Sequence, residues 1–151
     1  MRSPGNAAVQ VTDPPSAAPG RFRAWGWPVS QVGTGLVLRT TSGFCGVELP
    51  QPYAEPVLRL LRQVDAEGPV IRAWRPAPWL VFLAEADVVV ESDAVTPYHA
   101  RLVHGGERIP LPPATTELGR CAWLIAPRPD RRWLPALSTI MWALRTAATR
   151  R

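Results

Sequence analysis

The stretch Val70-Ile71-Arg72-Ala73-Trp74-Arg75-Pro76-Ala77-Pro78-Trp79-Leu80-Val81-Phe82-Leu83 decides the fold. Two runs rich in β-branched, aliphatic and aromatic residues flank a short proline-rich break, which predicts a hairpin-like strand pair. The second run, from Trp79 to Leu83, is apolar without alternation. That suits an interior strand covered on both faces.

On the N-terminal side, Gly35-Leu36-Val37-Leu38-Arg39-Thr40 predicts a strand, Ser42-Gly43 a turn, and Phe44-Cys45-Gly46-Val47-Glu48-Leu49 a second strand stopped by Pro50. Tyr53, Val57, Leu60, Leu61 and Val64 recur at helical spacing and predict a helix within residues 52–67. Pro56 places the regular start of that helix near itself, and Gly68-Pro69 ends it. On the C-terminal side, residues 85–97 form a short strand or an irregular connection around Val88-Val89-Val90. Gly105-Gly106 between residues 100–104 and 108–111 predicts a hairpin closed by Pro112-Pro113. Residues 120–125 make a further strand, and residues 135–149 make a closing helix with Leu137, Ile140, Met141 and Leu144 on one face. The expected fold is α+β: a single domain at residues 24–151 with one mostly antiparallel sheet and two packing helices. Residues 1–23, rich in Pro and Ala, are expected to be a disordered tail.

Composition sets the outer bounds. A chain of 151 residues that is 46% hydrophobic and 19% charged has the length of one domain and enough apolar side chain for a core. No apolar run is long enough to span a bilayer, and the N-terminus lacks a signal-like apolar stretch, so a cytoplasmic, non-membrane protein is expected. Cys45 and Cys121 are too few for a disulfide scaffold and are expected to be free, buried thiols. The formal net charge is +5, and all 17 basic residues are arginine. Arginine forks suit phosphate oxygens, yet a GC-rich genome raises arginine without any ligand.

Motifs for phosphate loops, dinucleotide turns, serine elbows and zinc helices are absent from the sequence. Cys45 with His99 or His104 could form a nucleophile and base, although a thiol on an apolar strand is usually packing. Glu85-x-Asp87 and Glu91-x-Asp93 have the spacing that puts two carboxylates on one side of a strand. With Glu48 they offer a weak metal set, Glu48, Glu85 and Asp87, against the alternative of a solvated acidic turn. Arg72, Trp74 and Arg75 on the central hairpin, together with Arg101, Arg108, Arg131 and Arg132, are the candidates for nucleic-acid contact.

The series Trp25-Gly26-Trp27-Pro28-Val29, Phe44-Cys45-Gly46-Val47-Glu48-Leu49-Pro50, a helix, Gly68-Pro69-Val70, Trp79-Leu80-Val81-Phe82-Leu83, His104-Gly105-Gly106, Leu111-Pro112-Pro113 and Gly119-Arg120-Cys121-Ala122-Trp123-Leu124 carries a further signal in its order. It resembles the small actinobacterial members of the bifunctional DNA primase/polymerase N-terminal domain family, over residues 25–148. The resemblance implies a primase/polymerase-like fold, with an acidic pair on an early strand, a small-x-His motif on the next hairpin and a later acid. Only Glu48 matches these positions. Cys45 stands where small relatives commonly show Asp, residues 70–83 contain no histidine, and Arg101 lies near the expected acid. The implied protein is a non-catalytic remnant with no cofactor, which binds DNA or a replication-associated protein in a replication or repair context. Two alternatives stand beside it. One is a retained nucleotidyltransferase using Glu48 with Glu85 or Asp87 and Mg²⁺ or Mn²⁺, and the other is a protein interaction module.

Overall fold

A computed structural model describes residues 18–116, 119–128, 130 and 134–151. The central hairpin forms as its sequence requires. β4 (Val70–Trp74) and β5 (Pro78–Glu85) pair antiparallel with Val70 opposite Phe82 and Trp74 opposite Pro78. The Arg75 amide closes the turn by donating to the Ala77 carbonyl at 2.8 Å.

Around this pair, β1 (Val29–Val32), β2 (Gly35–Arg39), β3 (Phe44–Pro50), β6 (Arg101–Val103), β7 (Arg108–Leu111), β8 (Ala114–Thr116) and β9 (Gly119–Ile125) make up two sheets. The central sheet has the order β6-β3-β5-β4-β9-β8, and a small sheet has the order β1-β2-β7. All of these pairings are antiparallel. β5 is interior, as its apolar run implies. Leu80, Phe82 and Ala84 enter a core shared with two helices, while Val81 and Leu83 enter a second core under the small sheet. Side chains alternate across a strand, so a continuous apolar run is what a strand between two cores needs.

The described α-helices are α1 (Ala18–Ala24), α2 (Gln51–Gln63) and α3 (Leu137–Thr149). α2 and α3 cover one face of the central sheet. Ala54, Val57, Leu60 and Leu61 of α2 meet Leu137, Ile140, Met141 and Leu144 of α3 in that core. The α3 face and Val57, Leu60 and Leu61 are as their periodicities predict, whereas Val64 lies just past the end of α2 and is 48% exposed. Each fully buried Leu or Ile contributes about 1.5–3 kcal/mol relative to exposure. Among the described residues no helix is long and apolar enough to cross a membrane.

Four expectations change. The described residues form two sheets in place of one. The 100–111 segment is not a hairpin: β6 pairs with β3 and β7 pairs with β2, so the Gly105-Gly106 turn carries the chain from one sheet to the other. Positive φ at both glycines, 69° and 93°, allows that change of direction. Buried Thr40 fastens it, because its hydroxyl donates to the Glu107 carbonyl at 2.8 Å and accepts from the Gly106 amide at 3.1 Å. α2 begins at Gln51, ahead of Pro56, since burial of Ala54 and Val57 outweighs the one backbone bond that Pro56 removes. Finally, α1 lies within the expected tail. Its Phe22 is buried and stacks on Trp27 at 5.0 Å between centroids, so the folded part reaches to Ala18.

Candidate functional site

Among the described residues Glu48 is the one buried acid, 5% exposed. Along β3 its neighbours Val47 and Leu49 point into the helix-side core, so Glu48 and Gly46 face the small sheet. Gly46 lets that sheet come close: a Cβ there would lie 2.8 Å from Cδ1 of Ile109 on β7. Beyond this contact the sheets part, leaving a cleft of about 720 Å³ lined by Glu48, Arg75, Arg101, Glu107, Arg108 and Ile109 among others.

Two arginines converge on one carboxylate oxygen. Glu48 Oε1 accepts from Arg75 Nη1 at 3.0 Å and from Arg101 Nη1 at 3.3 Å. Arg101 sits directly across the β3–β6 ladder, whereas Arg75 reaches in from the tip of the β4–β5 turn. Arg101 also pairs with Glu107, which follows the Gly-Gly turn. A buried carboxylate is costly to desolvate, and two guanidinium groups offset that cost here.

The metal alternative finds no support in this arrangement. Glu48 lies opposite Val81, and Glu85 follows Val81 by four residues on β5, about 13 Å along an extended strand. Asp87 has another task. Its two oxygens accept from the Ser138 amide at 2.9 Å and the Ser138 hydroxyl at 2.6 Å, capping the first turn of α3, whose own N-cap Ala136 has no capping side chain. Among the described residues no group of three or more His, Cys, Asp or Glu is placed to hold a metal ion. A carboxylate already paired with two arginines does not fit a pair of divalent cations.

The Asp87 cap carries a prediction. Asp87→Ala should cost about 0.5–1 kcal/mol at neutral pH, the low end for a cap because the group is exposed. The Ser138 bonds hold the Asp87 carboxyl below its ordinary range. Its stabilisation is therefore fully present above about pH 4 and is lost as pH falls through the lowered value. Urea unfolding at neutral and strongly acid pH checks this: the gap between native and variant should close in acid.

The candidate nucleic-acid residues divide between two faces of the central sheet. Arg75, Arg101 and Arg108 meet at the cleft. Arg39 of β2 does not line the cleft but stands opposite Arg108 in the β2–β7 ladder, both side chains being exposed. Like charges in direct register repel, so this pair favours a bound anion. Only the strand register could have revealed it. Arg72 and Trp74 lie on the opposite face, beside Arg120 of β9, whose guanidinium carbon is 4.6 Å from the Trp74 ring centroid. Arg131 and Arg132 lie outside the described residues.

The thiols are free and buried, as expected. Burial, with a smaller contribution from Asp87, pushes the Cys45 thiol up to about 11, which keeps it protonated at neutral pH. His104 shares a cavity of about 380 Å³ with Cys45, but its Nε2 is engaged with Ser92 Oγ at 2.7 Å. His99 stacks on Tyr53 at 3.9 Å between centroids. A thiolate nucleophile has no activating charge in such a setting.

Comparison with known proteins gives no match among family models, curated proteins or solved structures.

Proposed function

We propose that this chain is a non-catalytic nucleic-acid-binding domain of primase/polymerase-like fold, acting on DNA in a replication or repair context. The observation that carries it is the convergence of Arg75, Arg101 and Arg108 along the cleft between the sheets, against Glu48 and Glu107, with Arg39 opposite Arg108 in the neighbouring ladder. Three guanidinium groups and two carboxylates leave the cleft a net local charge of 3 − 2 = +1. Arginine raised by genome composition alone would be scattered over the surface. The Glu48 carboxylate, neutralised on both sides, supports the loss of metal chemistry and keeps Arg75 and Arg101 ordered for a phosphate.

Titration of labelled single- and double-stranded DNA across a range of salt concentrations tests this. Contact with two or three phosphates predicts that log K for the duplex falls against log salt with a slope of about −2 to −3. Absence of affinity for either DNA at low ionic strength overturns the proposal. Primer extension with Mn²⁺ and labelled nucleotides separates the enzymatic alternative: the native chain and Glu48→Gln should both leave the primer unextended, and extension by the native chain alone would restore a catalytic Glu48.

A further inference from the structure

Arg72, Trp74 and Arg120 occupy the part of the helix-side face of the central sheet that the helices leave open. Val70 of β4 and Leu80 of β5 are buried under α2 and α3, but Arg72 and Trp74 are half-buried, and Arg120 and Ala122 on β9 are exposed. Register sets Arg72 between Leu80 and Ala122, and Trp74 follows it on the same face. Both guanidinium groups lie against the indole, with Cζ to centroid distances of 5.8 Å for Arg72 and 4.6 Å for Arg120.

These arginines differ from others in the molecule. Arg62, Arg75, Arg101 and Arg128 each pair with a carboxylate. Among the described residues Arg72 and Arg120 have none, and Arg72 Nε is buried without a hydrogen-bond partner. Two guanidinium groups side by side without a carboxylate leave positive charge that an anionic oxygen is suited to take up. The place of the cluster gives the source of that oxygen. Trp74 is followed by Arg75, whose side chain crosses the hairpin tip into the cleft on the other face. The open platform and the cleft are thus joined over one β-turn.

We propose that Arg72, Trp74 and Arg120 form a second nucleic-acid contact, reached by a strand that leaves the cleft and crosses the β4–β5 tip. Arg72 and Arg120 take a phosphodiester, and the indole takes an unstacked base. A duplex, with a persistence length of about 50 nm, cannot turn over a single hairpin tip, so the strand that touches both faces is unpaired. This inference rests on the nucleic-acid assignment of the cleft, and its test separates the two.

The measurement is the affinity of labelled oligothymidylates of about 6 and about 20 nucleotides, bracketing typical single-strand site sizes. Trp74→Ala and Arg120→Ala should weaken the long oligonucleotide about tenfold or more while changing the short one little, and Trp74→Phe should keep most of the affinity. Arg120→Ala should also make the salt slope shallower by about 0.7. Arg120 is exposed, so its variant serves if Trp74→Ala does not fold. Folded variants that bind the long strand like the native chain overturn the second contact and leave the cleft standing. A native chain that binds neither oligonucleotide nor duplex overturns both.

Discussion

Replacement of Gly119 by alanine is expected to lower the unfolding free energy by about 3–5 kcal/mol. Two causes add. Gly119 opens β9 at φ 135°, a backbone region that L side chains rarely adopt. A Cβ there would also stand 2.2 Å from the carbonyl oxygen of Trp74, which belongs to the backbone of β4 and cannot swing aside. Relief requires β9 to move off β4, opening the pairing of Ala73 with Cys121 and drawing Arg120 away from the Trp74 ring. Domains of this size hold about 5–15 kcal/mol in total, so the variant should lose much of its margin, with a fall in Tm of about 10 °C or more. Urea and thermal unfolding measure it directly. A loss below about 1 kcal/mol would mean that β9 and β4 do not approach this closely.

Glu48→Gln should have two effects of opposite sense: lower stability and tighter DNA binding. Removing one partner from a fully buried ion pair costs about 3–5 kcal/mol. The side chains of Arg75 and Arg101 are 26% and 53% exposed, so water takes up part of the uncompensated charge and the expected cost is about 2 kcal/mol. Glutamine keeps the shape and one acceptor, which holds the sheets in place. The cleft meanwhile gains one unit of positive charge. Across about 8 Å at an effective dielectric constant between those of water and the protein surface, that is worth about 1 kcal/mol, or roughly fivefold in affinity for a phosphate strand. An enzyme relying on Glu48 for metal would respond in the other direction. Denaturant unfolding beside DNA titration at one salt concentration gives both readouts, and weaker binding by a folded variant would contradict the role assigned to Glu48.

The elements of the fold that rest on local pattern were legible. The break at residues 75–78, the continuous apolar run of β5 and the apolar stripe of α3 each follow from period and turn chemistry within a dozen residues, and each forms as expected. β1 was not legible, because Val29-Ser30-Gln31-Val32 has one buried residue and gains its strand character from pairing with β2. Phe22 lies in the Pro- and Ala-rich stretch expected to be a disordered tail. Its burial depends on stacking with Trp27 and on a core built from strands far along the chain.

The candidate site divides in the same way. Sequence by itself determined which residues carry charge, that arginine is in excess, that Glu48 stands on an apolar strand and that the chain folds as α+β. Tertiary structure alone decided their meaning. Arg75 and Arg101 lie 27 and 53 residues from Glu48, and only strand order and register bring them to one of its oxygens. Asp87, a plausible metal ligand by spacing, lies 51 residues before the serine it caps. Arg39 and Arg108 become neighbours only because the Gly105-Gly106 turn moves the chain into the second sheet. Local dihedral and hydrophobic preferences act over a few residues, so a sequence displays them. The field at a side chain sums over everything near it in space, and that proximity exists only once the two sheets have packed.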